Sequence, residues 1–247
     1  SELQQDKLKV ENSIKENIEI LTHWSQKNKG INKPKMVFIN TSGGGLRSAL
    51  WTVHVLNFLD SITKQRLTKQ THLITGASGG MIGAAFYREN YKKGIYGEIM
   101  VNGNEMKRRI SKDLLNPLAF SIATTDMFYR FKKHDDGKYI YTKDRGWFFE
   151  KNLIENLNCF EGKRILDYKL PEYHSDIPMM IFSPSVVNDG RRLLISPQKI
   201  TFLCNTDTSL FSGKIALENI EFSTLFNKND PQYLKISSAM RMNATFP

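Results

Sequence analysis

Two short stretches hold residue types arranged for acyl-transfer chemistry. The first is Gly76-Ala77-Ser78-Gly79-Gly80. A serine that attacks a carbonyl must stand at the apex of a tight turn, so that its hydroxyl projects clear of the backbone. Its neighbours must be small because strand and helix pass close by. The flanking sequence suits that turn: Thr71 to Thr75 is a strand pattern, and Met81 to Tyr91 is a helix pattern with Gly83, Ala84 and Ala85 allowing close packing. A helix N-terminus beneath Ser78 would favour developing negative charge. Without that context the pentapeptide is only a Gly-rich turn. The second stretch is Ser42-Gly43-Gly44-Gly45-Leu46-Arg47, directly after another strand pattern. Three glycines leave backbone N–H groups able to converge on an anion. A phosphate cradle of the Walker type would end in Gly-Lys-Ser/Thr, and a dinucleotide fingerprint would place a glycine where Ser48 stands. Neither fits, so beside a reactive serine the expected job is an oxyanion hole, in which one donor contributes about 3 kcal/mol of transition-state stabilisation.

Taken together, a Gly-Gly-Gly-x-Arg turn and a later Gly-x-Ser-Gly-Gly turn resemble the patatin-like phospholipase family. A third stretch is similar to that family's Ser-Ala helix ending in Phe-Pro: Lys235 to Pro247, containing Ser238-Ala239 and closing on Phe246-Pro247. The likeness runs from Lys35 to the last residue. It implies a three-layer α/β/α sandwich with a mostly parallel central sheet, and a Ser–Asp dyad with no triad histidine, metal or organic cofactor. Carried over by motif, Ser78 would be the nucleophile and Gly43, Gly44 and Gly45 the oxyanion hole. Gly76, Gly79 and Gly80 would support the turn, and Arg47 would orient the glycine loop or meet a lipid phosphate. A structural ion pair is the competing role for Arg47. Ser48 departs from the family, which often has glycine there, but the residue is small.

The larger departure concerns the base. The family's aspartate lies in an Asp-Gly-Gly or Asp-Gly-Ala motif shortly after the Phe-Pro segment, and the sequence stops at Pro247. The resemblance therefore places the base in sequence following Pro247, or marks a catalytically incomplete copy. Asp189-Gly190 is a possible substitute, yet it precedes the Ser-Ala helix and a hairpin turn accounts for it. Asp136-Gly137 is a weaker substitute still. An ordinary α/β-hydrolase would place its histidine after serine and acid, and no histidine follows His174. His23, His54, His72, His134 and His174 are therefore read as structural or surface groups. No His, Cys or carboxylate cluster has metal-ligand spacing.

The elements that must position these residues follow from periodicity. Residues 8 to 29 form a polar helix pattern with Val10, Ile14, Ile18, Leu21 and Trp24 in one narrow stripe, expected to dock on the main body or on a partner. Asn28 to Pro34 is a linker, so residues 1–34 are set apart from the domain at 35–247, which the resemblance leaves incomplete at its C-terminus. Lys35 to Asn40 is a strand, Ala49 to Ile62 a helix, and the Thr71 and Met81 segments repeat the pattern. Two strand–turn–helix units in succession call for parallel strands and crossover helices, hence an α/β fold. A charged helix is expected at about 104 to 115, aromatic-rich stretches stand at 128–131 and 147–149, strands at 177–182 and 192–196, and a late helix at 231–242.

Composition narrows the partners. With 247 residues the chain can bury a large core, and its net charge is +10. The cations are scattered among acidic residues, which argues against nucleic acid and for a solvated surface or attraction to anionic lipid. No run of apolar residues is long enough to span a bilayer, so the expected setting is peripheral, at a membrane surface, with phospholipid or another acyl lipid as substrate. Cys159 and Cys204 are expected to be reduced and buried, though they could pair. Two other readings stay open: a small-ester α/β-hydrolase, and an incomplete module serving as a scaffold or effector subunit.

Overall fold

The computed structural model describes residues 2–114, 133–135, 140–204, 219–226 and 231–244, with side chains described from residue 8 onward and none for Tyr141. The expected segments at 128–131 and Asp136-Gly137 lie outside them. Three parallel strands make the central sheet: β1 (Val37–Thr41), β2 (Thr71–Gly76) and β5 (Met179–Phe182), in the order β1-β2-β5. The β1–β2 crossover is α2 (Gly45–Ile62) followed by the short α3 (Arg66–Gln70), and β2 runs into α4 (Ser78–Ile95). These are the two strand–turn–helix units expected from periodicity, with both helices starting earlier than expected and β1 starting two residues later, at Val37.

Side-chain alternation along the strands builds the layers. Ile74, Met180 and Phe182 point into one large core with Val53, Leu56, Met81 and Phe86 from α2 and α4. Ile181 points the other way, into a smaller cluster with Leu194, Ile200 and Phe202. The chain is thus an α/β fold with its sheet covered on both faces. On the first face α8 (Ile236–Ala244) joins α2 and α4, burying Ile236, Ala239 and Met240. On the second lie α1 (Glu2–Lys27) and the 3-10 turn Thr201–Leu203, linked where Phe202 N donates to Ser13 Oγ at 3.1 Å.

The hairpin expected around Asp189 is present. Strand β6 (Arg192–Leu194) returns antiparallel to β5, with Phe182 and Ile195 exchanging backbone hydrogen bonds, and pairs in parallel with β7 (Asn219–Glu221). A separate hairpin, β3 (Lys133–Asp135) with β4 (Ile140–Thr142), leads into α6 (Arg145–Leu157), and α5 (Gly103–Ile110) precedes both. The short α7 (Lys169–Tyr173) leads into β5.

Three expectations need correction. The helix expected at 104–115 ends at Ile110. The helix expected at 231–242 begins at Ile236, because Pro231–Tyr233 is a 3-10 turn and Arg164 and Lys235 bridge in antiparallel fashion before it. The docking face of α1 also shares only Trp24, as a buried residue, with the expected apolar stripe. Ser13, Ile20, Trp24 and Asn28 are buried, while Ile14, Ile18 and Leu21 are 43%, 56% and 37% exposed. Polar fit selects that face: Ser13 meets Phe202 N, and Trp24 Nε1 donates to Gln70 O at 3.0 Å. Cys159 and Cys204 are unpaired and half-buried, and burial pushes each thiol up to about 12.

Candidate active site

Parallel register puts the two motifs side by side. Thr41, the last residue of β1, pairs with Gly76, the last of β2, and Ala77 N donates to Thr41 O at 3.0 Å. The glycine loop and the serine turn therefore leave the same end of the sheet as neighbours. In an open parallel sheet, this carboxyl end is where ligand sites are built.

Ser78 sits between β2 and α4 with φ 51°. A non-glycine residue held in the left-handed region costs about 1–2 kcal/mol, and such strain gathers where geometry is used. Gly76 has φ 154° and lies so close to Thr41 that a Cβ there would overlap its carbonyl oxygen. The other glycines are spacers for the same contact. A Cβ on Gly79 would overlap Gly45 O, one on Gly80 would overlap Ser42 O, and one on Gly83 would overlap Ala49 O. The start of α4 therefore lies directly on the glycine loop and the start of α2. Gly43 is the residue against the serine, since a Cβ there would stand 3.4 Å from Ser78 Cβ.

The local field favours an anion. α2 and α4 begin at this point, both without an acidic residue in the first turn and without a side-chain cap at Gly44 or Ala77. Uncapped N-termini leave N–H groups unsatisfied and carry roughly half a positive charge each. Among the described residues, no acceptor takes the N–H of Gly43, Gly44 or Gly45. Ser48, where the family often has glycine, closes the loop: its Oγ donates to Ser42 O at 2.5 Å. Arg47 is exposed and forms no ion pair among the described residues.

Asn243 is a site residue that motif reading passed over. Its Nδ2 donates to Gly76 O at 3.2 Å, and its Oδ1 accepts from Ser183 N at 2.9 Å. One amide thus clamps the ends of β2 and β5 two residues before Ser78, and brings the end of α8 to the serine turn. The only sequence signal was its place in the Ser-Ala helix segment.

No general base touches the serine among the described residues, where Ser78 Oγ makes no hydrogen bond. Asp189 is engaged in its own turn: Oδ1 accepts from Arg191 N at 3.0 Å and Oδ2 from Arg191 Nε at 2.7 Å. Those side-chain and backbone bonds from Arg191 hold its carboxyl below the usual carboxylate range. Among the histidines, His72 lies on β2 with its ring 5.8 Å from that of Phe38, and burial lowers its pKa. His54 is exposed beside Trp51, and His23 Nδ1 meets Tyr173 O at 2.8 Å. The described residues hold no cluster of three or more metal-ligating side chains, and no described helix is long and apolar enough to cross a membrane.

The fold and the strained serine define the class: an α/β protein with a left-handed serine at a strand-to-helix turn on the carboxyl end of its parallel sheet. No protein-family model matches the sequence, and no curated protein matches it. Among solved structures, the chain is similar to human GIVD cytosolic phospholipase A2 in complex with methyl gamma-linolenyl fluorophosphonate, at 11% identity and a TM-score of 0.48. A second structure of that protein, with the inhibitor and terbium chloride, gives 12% and 0.47. Each alignment covers 97% of this chain and 34% of the other, so the chain spans about a third of that protein's length.

Proposed function

We propose that this chain carries the nucleophile and oxyanion hole of a serine lipid acyl hydrolase of the patatin-like kind. The observation that carries the reading is Ser78 at φ 51°, with Gly43 against it and two uncapped helix N-termini beneath it. Ser78 Oγ attacks the ester carbonyl and forms the acyl-enzyme. The N–H groups of Gly43 to Gly45 hold the oxyanion. The hydroxyl proton passes to an aspartate, which returns it to the leaving alcohol, and water then frees the acid.

The resemblance places that aspartate in sequence following Phe246-Pro247, and the clamp by Asn243 supports this by holding the end of α8 beside the serine turn. Arg47, exposed two residues into α2, is the cation that would meet a lipid phosphate. The substrate is a phospholipid or other acyl lipid at a membrane surface. The rival reading is a catalytically incomplete scaffold.

The test is fatty acid release from mixed phospholipid vesicles by the full gene product and its Ser78→Ala variant, read by mass spectrometry. The expected outcome is release that falls at least about 10⁴-fold in the variant. No release from the unmutated protein selects the scaffold, and equal release from both removes Ser78 from the mechanism.

A further inference from the structure

Away from the serine turn, α6, α8, β4 and the described residues 222–226 and 231–235 line a cleft of about 720 Å³, within the range of small-ligand sites. Its apolar wall is built by Trp147, Phe222, Phe226, Leu234 and Met242. Phe222 and Phe226 pack ring to ring with centroids 4.9 Å apart. Three cations also line it, Arg164, Lys235 and Arg241, and they are not equivalent.

Arg241 is neutralised. Its Nε donates to Glu150 Oε1 at 2.7 Å, while Glu150 Oε2 also accepts from Ser237 and Ser238 at 3.1 and 2.9 Å. Arg164 is different. Its Nη1 donates to the neutral Tyr233 O at 2.7 Å and its guanidinium lies 5.8 Å from the Tyr233 ring centroid. Among the described residues, no carboxylate forms an ion pair with that guanidinium. The cleft's carboxylates are engaged, Asp144 by Trp147 N and Glu150 by Arg241, so apolar lining together with a guanidinium that has donors to spare matches an amphiphile with one anionic end.

We propose that this cleft binds a single acyl chain bearing an anionic group, a carboxylate or a phosphate, with the anion at Arg164 and the chain along Phe222, Phe226 and Met242. The inference rests on the hydrolase reading in taking that chain to be a released product of the Ser78 site. One helix joins the two places: Met242 lines the cleft, and Asn243, the next residue, holds Gly76 O.

Binding of dansyl-undecanoate to the full-length protein tests it, with oleate, oleyl phosphate and methyl oleate as competitors. Saturable binding is expected, displaced by oleate and oleyl phosphate and at least about tenfold less well by methyl oleate. Arg164→Gln should raise the Kd about tenfold, and Arg164→Lys should restore part of it. Phe226 is 40% exposed, so Phe226→Asp should weaken binding similarly without loss of fold. Ser78→Ala should leave the Kd unchanged. The proposal is overturned by absence of saturable binding, by equal competition from methyl oleate, or by indifference to both Arg164→Gln and Phe226→Asp. Ser78-dependent release together with such indifference would remove the cleft alone. Arg164-dependent binding without Ser78-dependent release would remove the hydrolase reading alone.

Discussion

At the scale of single residues, the site depends on what is missing from side chains as much as on what is present. Gly43 has room for one carbon and no more, because a Cβ there reaches van der Waals contact with Ser78 Cβ at 3.4 Å. Gly43→Ala should therefore fold normally while filling space that the proposed oxyanion would take. We expect kcat to fall about 10- to 100-fold, in line with the loss of one oxyanion donor, with a Tm close to that of the unmutated protein. A steady-state assay beside a thermal melt checks both halves. A large drop in Tm would mean that the loop cannot absorb even this contact.

At the scale of elements, the serine turn is held by glycines that let α4 lie on α2 and by one amide that ties α8 to the sheet. Gly79 and Gly83 face backbone carbonyls, Gly45 O and Ala49 O, which cannot rotate away as a flexible side chain could. Gly79→Ala and Gly83→Ala should each cost about 3 kcal/mol, the upper part of the overpacking range, measured as a lowered urea midpoint. Asn243→Ala removes one donor to Gly76 O and one acceptor from Ser183 N. Its expected cost is about 1–3 kcal/mol, together with a fall in any Ser78-dependent turnover. Unchanged turnover would show that the clamp does not hold the serine turn.

At the scale of the molecule, two buried polar arrangements join the face carrying α4 to the later half of the chain. Arg88 on α4 is 2% exposed and pairs with Glu172, which is 0% exposed, while also donating to Pro178 O at 3.1 Å. The adjacent Glu89 pairs with Lys163 and accepts from Tyr168 Oη at 2.6 Å. Glu172→Met alone would strand a buried guanidinium and should cost about 3–5 kcal/mol, whereas Arg88→Met with Glu172→Met should recover most of that loss. Chemical denaturation of the three variants decides it. Lys27, at the end of α1, donates to Ser175 O at 2.7 Å, and burial lowers its pKa to about 8, with Asp176 pulling the other way. The unfolded chain holds that proton up to about 10.5, and the folded chain releases it near 8. Stability should therefore rise with pH between those values, and be lost as pH falls through 8. Urea midpoints of Lys27→Met should lack that rise.

The sequence by itself determined the local chemistry: two strand–turn–helix units, the glycine loop, and a serine between strand and helix. Each of these is written in neighbouring residues, because turn sterics and strand or helix periodicity act over a few positions. The hairpin at Asp189-Gly190 was legible for the same reason. What only the tertiary structure decided depends on partners far away in the chain. Of the stripe Val10, Ile14, Ile18, Leu21 and Trp24 on α1, Trp24 docks as expected, yet Ile14, Ile18 and Leu21 stay exposed while Ser13 and Ile20 are buried, Ser13 meeting Phe202 N. Asn243 is a plain helical residue until β2 and β5 end on either side of it. Arg164 and Glu172 likewise carry no local sign of being, respectively, a cleft-wall cation with no ion pair among the described residues and a fully buried ion-pair partner. Short-range geometry is encoded locally, whereas burial and pairing are settled only when distant segments meet.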